Sequence, residues 1–147
     1  VGGKMKKIIF LLVFISLVGY LIGQYVPVEI VNNAEDYLGR QLVTRFRDEI
    51  RKSPSYTVTY SSDEPHFKVK IDTMDRYKGD SLYEGISTIY NYTILIAVNG
   101  IDIYCYSQLG YAGKDVLNEV AFQIYSDLDE FIETFKSYLI KLLEEYE

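Results

Sequence analysis

The residues with the widest chemical reach in this chain are few. His66 is the only histidine, and Asp63, Glu64 and Asp72 lie near it in sequence. An imidazole beside carboxylates can serve as a general base or a metal ligand, but either role needs a positioned partner. His66 opens a segment that alternates polar and apolar residues, so the expected setting is an exposed residue at a strand start. No serine sits in a nucleophile-elbow motif that would complete a triad.

Cys105 is the only cysteine, which excludes an intrachain disulfide and a thiolate metal cluster built from one chain. Nothing basic adjoins it to activate the thiol, and it reads as a small buried hydrophobe. The run Gly110, Tyr111, Ala112, Gly113, Lys114 precedes a helix and faintly resembles a phosphate-binding turn. It lacks the length of a P-loop and is followed by Asp115, which repels phosphate, so a strand-to-helix turn is expected. Asp127, Glu130 and Glu133 recur on one helix face, the pattern of a solvated surface more than of a cation site. Asn91, Tyr92 and Thr93 match a glycosylation acceptor, but in mid-strand. From these residues we expect no catalytic group, no metal and no cofactor.

Charge narrows the partners. The 147 residues carry a formal net charge of −6, and Lys4, Lys6 and Lys7 precede every acid. From residue 25 onward the other 12 bases face all 21 acids, a balance of −9. A phosphate backbone repels such a chain, which argues against nucleic-acid binding and against adhesion of the folded part to anionic lipid. Hydrophobic residues at 48% and charged residues at 24% are the balance of one globular domain.

KMKKIIFLLVFISLVGYLIGQ joins a basic start to an apolar run from Ile8 to Gly23. The run is short for a membrane span of about 20 residues and slightly long for a signal-peptide core. Residues 1–24 are therefore expected to be a signal peptide or an uncleaved membrane anchor, with residues 25–147 as a single α/β domain. Either places the domain outside the cytoplasm, in the periplasm or tethered to the inner membrane by residues 8–24.

The elements that position these groups follow from periodicity. VPVEIV at 26–31 alternates as a strand, and Pro27 restricts it to an edge or to the strand's first residues. Asn32 or Asn33 is expected to cap a helix from about Glu35 to Lys52, with Leu38, Leu42, Phe46 and Ile50 as its stripe, joined by Ala34 and Tyr37. YTVTY groups Tyr56, Val58 and Tyr60. HFKVKIDT puts Phe67, Val69, Ile71 and Thr73 on one face and His66, Lys68, Lys70 and Asp72 on the other. Residues 76–86 hold two glycines and no period, and read as a mobile connection.

Asn99-Gly100 is a strong hairpin signal, because both central positions of a type I′ turn need positive φ. Pairing outward from it sets Val98 against Ile101, Ile96 against Ile103, Ile94 against Cys105, Tyr92 against Ser107 and Tyr90 against Leu109. The other face holds Leu95 with Tyr104, Thr93 with Tyr106 and Asn91 with Gln108. That register turns Tyr90 and Tyr92 inward and Tyr104 and Tyr106 outward. A long helix from about Lys114 follows, with Leu117, Val120, Ala121, Ile124, Leu128, Phe131, Phe135 and Leu142 as its stripe. Some 30 helical residues span about 45 Å, against about 20–30 Å for a strand. The last turns, with Leu139, Ile140, Leu142 and Leu143, are thus expected to overhang the sheet with free apolar surface, through which the chain could oligomerise.

The expected fold is α+β, β-α-β-β-β-β-α: a two-layer sandwich of a mainly antiparallel four- to five-stranded sheet with both helices on one face. The leader, the helix LVTRFRDEIRKSPSYTV, the strand after an acidic turn, the hairpin and the closing helix together resemble small envelope α/β domains. Similar layouts belong to the N-terminal domain of TolB, to CsgG and to LptE. The resemblance covers most of residues 26–138 and implies an accessory, docking or assembly component of the envelope, without catalysis. No functional residues carry over from it, and the chain lacks the acylatable cysteine of the lipoprotein members.

The bare sheet face then remains for function. Tyr104, Tyr106, Leu95, Thr93, Thr57, Thr59, Lys68, Lys70 and Gln108 would form a mixed aromatic and polar patch on it. The expectation is a non-catalytic exported protein that binds an envelope protein or small ligand there, at a strand edge or through the terminal helix. The alternative is a small secreted hydrolase using His66 and nearby carboxylates.

Overall fold

A computed structural model describes Gly19, residues 25–60 and residues 63–145. The leader expected at residues 1–24 lies, save Gly19, outside the described residues. Among those described, no helix is long and apolar enough to cross a membrane.

The element order is β1 (Val26–Ala34), α1 (Tyr37–Lys52), β2 (Tyr56–Thr59), β3 (His66–Asp75), β4 (Ser87–Val98), β5 (Ile101–Gly113) and α2 (Leu117–Glu144), the last entered through a 3-10 turn at Lys114–Val116. Five strands form one sheet in the order β2-β1-β3-β4-β5. The expected antiparallel pairing holds for β3, β4 and β5. Both pairs made by β1 are parallel, so the sheet is mixed. The cause is α1, a crossover that returns the chain to the starting end before β2 begins. Pro27 is tolerated because only β2 pairs beside it; the ladder to β3 starts one residue later, at Val28.

One sheet face is dry. Val26, Val28 and Ile30 of β1, Phe67, Val69 and Ile71 of β3, and Tyr92, Ile94 and Ile96 of β4 are buried against both helices. Leu38, Leu42, Phe46 and Ile50 of α1 are buried as the stripe requires, joined by Val43, whereas Tyr37 is exposed. In α2 the buried set is Leu117, Ala121, Ile124, Leu128, Ile132 and Leu139. The rings of Phe131 and Phe135 meet Phe67 edge-on at 6.0 and 5.9 Å. Of the apolar residues expected on an overhanging end, Leu139 is buried and Leu143 is partly buried against the core, whereas Ile140 is exposed.

Three local differences matter. The helix cap is Asp36, not Asn32 or Asn33, because β1 continues to Ala34 in register with Thr73. Asp36 accepts from the Gly39 N–H, the Thr73 hydroxyl and the Thr88 hydroxyl at 3.2, 2.5 and 3.0 Å, tying α1 to β3 and β4. Residues 76–86 form a turn structure held by buried Asp75. Its carboxylate accepts from the Tyr77 and Gly85 N–H groups at 2.7 and 2.6 Å.

The third difference is in the hairpin. Asn99 and Gly100 have φ of 52° and 75°, as a type I′ turn requires. The register runs as expected through Leu95 opposite Tyr104, and then shifts between Ile94 and Leu95. Ile94 pairs with Tyr106 rather than Cys105, Tyr92 with Gln108, and Tyr90 with Gly110. Cys105 is the extra residue of a bulge. Everything beyond it changes face relative to expectation.

Candidate functional site: the outer sheet face and the β5 edge

The register assigns Thr57 and Thr59, Glu29, His66, Lys68 and Lys70, Thr93 and Leu95, and Asp102 and Tyr104 to the outer face. Ser107, Leu109 and Tyr111 join them beyond the bulge. Tyr106 and Gln108 do not: both turn to the helix side, where the Tyr106 ring lies 6.0 Å from that of Tyr92 and its hydroxyl donates to Gln108 Oε1 at 2.6 Å. The outward tyrosine pair is thereby split, and Tyr104 alone stays on the outer face.

Much of that face satisfies itself. His66 is buried, not exposed at a strand end: Nε2 lies 2.8 Å from Glu29 Oε2 and Nδ1 2.6 Å from the Glu64 carbonyl. Lys68 bridges Glu29 at 3.4 Å and Asp102 at 2.9 Å, so charges alternate across β1, β3 and β5. Burial works against the Lys68 ammonium, but the Asp102 hydrogen bond and the charges of Glu29 and Asp102 outweigh it and push its pKa up. Lys70 reaches Asp72 at 3.5 Å, and Asp72 accepts from Asn33 Nδ2 at 2.9 Å. Leu95 and Thr93 are half-buried between these rows.

Toward β5 the character changes. On the outer face Tyr104, Leu109 and Tyr111 are more than half exposed, Leu109 at 70% and Tyr111 at 67%. On the helix side of the same strand Ile101 and Ile103, opposite Val98 and Ile96, are also at least half exposed. Arg76 lies over the Tyr111 ring at 4.6 Å and steadies it. Among the described residues no strand pairs with the far side of β5. Its one charged residue before Lys114 is Asp102, and it contains no proline. Long edges are ordinarily blunted by lysine, proline or shortness. The opposite edge, β2, is only 4 residues long; β5 has 13.

The helix side explains the other candidate groups. Asp127 of α2 accepts from the Tyr92 hydroxyl and from Gln123 Nε2, and Asp129 from the Tyr56 hydroxyl. Asp127 is thus a partner to the sheet, not one of a solvated row. Burial, followed by the hydrogen bond to aspartate, pushes the Tyr92 and Tyr56 phenols far above their ordinary range. Burial also pushes the Cys105 thiol up, as befits an unreactive group. Among the described residues no set of three or more His, Cys, Asp or Glu side chains could hold a metal ion. Leu109, Tyr111 and Ile103 were not singled out by sequence; the scarcity of charge from 101 to 113 was the available signal.

Among the described residues these features define a two-layer α+β domain with a self-satisfied polar face and a long sheet edge at β5 that no strand pairs. No family model matches the chain, and no curated protein matches its sequence. Among solved structures it is similar to rare lipoprotein B from Shewanella oneidensis, at 11% identity and a TM-score of 0.24, covering 82% of this chain and 95% of that one.

Proposed function

We propose that this chain is a non-catalytic, exported binding or assembly protein of the bacterial envelope, acting by strand addition at β5 and the adjoining outer face. The observation that carries the binding reading is the 13-residue edge, unpaired among the described residues, with exposed Ile103, Tyr104, Leu109 and Tyr111 and a single charge at Asp102. An extended partner segment gains main-chain hydrogen bonds along such an edge, and alternate side chains supply selectivity. The basic-then-apolar segment before residue 25 supports export. Against the hydrolase alternative, both ring nitrogens of His66 are already engaged, one by Glu29 and one by the Glu64 carbonyl.

The test is a photoreactive residue placed at Leu109, at Tyr104 and, as a control, at Thr44 on α1. Crosslinking in intact envelopes is expected from the first two and not from Thr44. Leu109→Lys with Tyr111→Lys should abolish it without altering the circular dichroism spectrum. Equal crosslinking from Thr44, or capture that survives the two lysines, refutes the reading.

A further inference from the structure

We infer that the strand received by the β5 edge is β5 of a second copy, antiparallel to the first about a two-fold axis at Leu109. This inference rests on the reading of β5 as the working surface and names its partner. Three observations select a copy of the same chain.

The first is the bulge. Side chains before Cys105 alternate out of phase with those after it, so only the stretch beyond it can join a regular ladder. That stretch, Tyr106–Ala112, has Leu109 at its centre. Antiparallel pairing about Leu109 sets Tyr106 against the second copy's Ala112, Ser107 against its Tyr111, and Gln108 against its Gly110. Each pair then shares a face, as the pleat demands.

The second is size. On the outer face Tyr111 meets serine on both sides of the axis, so each large ring faces a small side chain across the new ladder. Only Leu109 meets its equal, and its 70% exposed side chain is apolar. A two-fold interface must be self-complementary in this way, whereas an edge built for a foreign strand need not be.

The third is charge. In a chain whose balance from residue 25 is −9, two copies repel over most of their surface. Residues 106–113 contain no acid and no base, and Asp102 lies beyond the paired stretch. This is the segment where like can meet like without a charge directly opposite itself.

The purified full chain is measured by light scattering over a concentration series, with Leu109→Lys beside it. A dimer is expected for the former, and half that mass for the latter, because the axis brings the two new lysines face to face. In a Cys105→Ala background, Leu109→Cys is expected to crosslink with a short bis-maleimide, which adds one thiol at each end. Ile103→Cys is not, since the two copies of that residue lie about 40 Å apart at roughly 3.4 Å per residue. A monomer at every concentration, a dimer that survives Leu109→Lys, or equal crosslinking from both cysteines overturns the inference. A monomer whose envelope crosslinking is lost in Leu109→Lys overturns this inference and keeps the proposed function. A dimer whose disruption leaves that crosslinking intact does the reverse.

Discussion

Gly39 occupies the third position of α1, where an alanine ordinarily strengthens a helix by about 1 kcal/mol. Here the sign is expected to reverse. A Cβ added at Gly39 would lie 1.7 Å from Thr73 Oγ1, 2.6 Å from Thr73 Cβ and 2.6 Å from Asp36 Oδ1. The hydroxyl can rotate away, but Thr73 Cβ is fixed to the backbone of β3. The helix must therefore retreat by about 1 Å to restore ordinary contact. Retreat costs about 1–3 kcal/mol in disturbed packing and about 1 kcal/mol in the Asp36 cap that spans the same gap. After the gain in helix propensity, Gly39→Ala is expected to lose about 2 kcal/mol. Urea unfolding reads this directly: with an m-value of about 1.5 kcal/mol/M, the midpoint should fall by a little over 1 M at unchanged slope. Gly113→Ala is the control, because its nearest contact, the Ile86 carbonyl, stands at 3.6 Å. An unchanged or raised midpoint for Gly39→Ala refutes the close seating of α1 on β3.

Two further perturbations probe the sheet's helix side. The Tyr56 and Tyr92 phenols are raised in the fold above their unfolded value near 10, so the fold keeps protons that the unfolded chain releases. Their contribution is complete below pH 10 and is lost as pH rises beyond it; the thermal midpoint should drop there less steeply in a Tyr56→Phe, Tyr92→Phe variant than in the parent. The Tyr90 ring lies across Gly110, where an added Cβ would come within 2.5 Å of Cζ. Gly110→Ala is expected to cost about 1–2 kcal/mol in denaturant unfolding, and much less in a Tyr90→Leu background. Equal costs in the two backgrounds would show that the ring does not occupy that glycine.

What could be read from sequence was local. The β3 alternation, the Leu38, Leu42, Phe46 and Ile50 stripe of α1 and the Asn99-Gly100 turn each depend on residues within a few positions of one another, and each has the expected form, although Ala34 belongs to β1 and Tyr37 is exposed. What could not be read depends on distant partners. The bulge at Cys105 has no turn residue to announce it, and it alone moves Tyr106 and Gln108 to the helix side. His66 is buried by Glu29, 37 residues away, and by the Glu64 carbonyl. Asp127 looked like one of a solvated triplet because its partner, Tyr92, lies 35 positions earlier. Within the expected patch, Tyr104, Leu95, Thr93, Lys68 and Lys70 share the outer face, while the more exposed apolar side chains stand further along β5.

The two parallel ladders of β1 bear on how the chain acquires its shape during synthesis. Val26–Ala34 emerges before both of its neighbours, Tyr56–Thr59 and His66–Asp75. The meander from β3 to β5 can zip up from adjacent sequence, whereas β1 must wait in extended form for its flanks. A nascent chain halted before His66 therefore holds β1 without its longer ladder, and a ribosome-bound fragment of that length should offer Val28 and Ile30 to any apolar-binding chaperone.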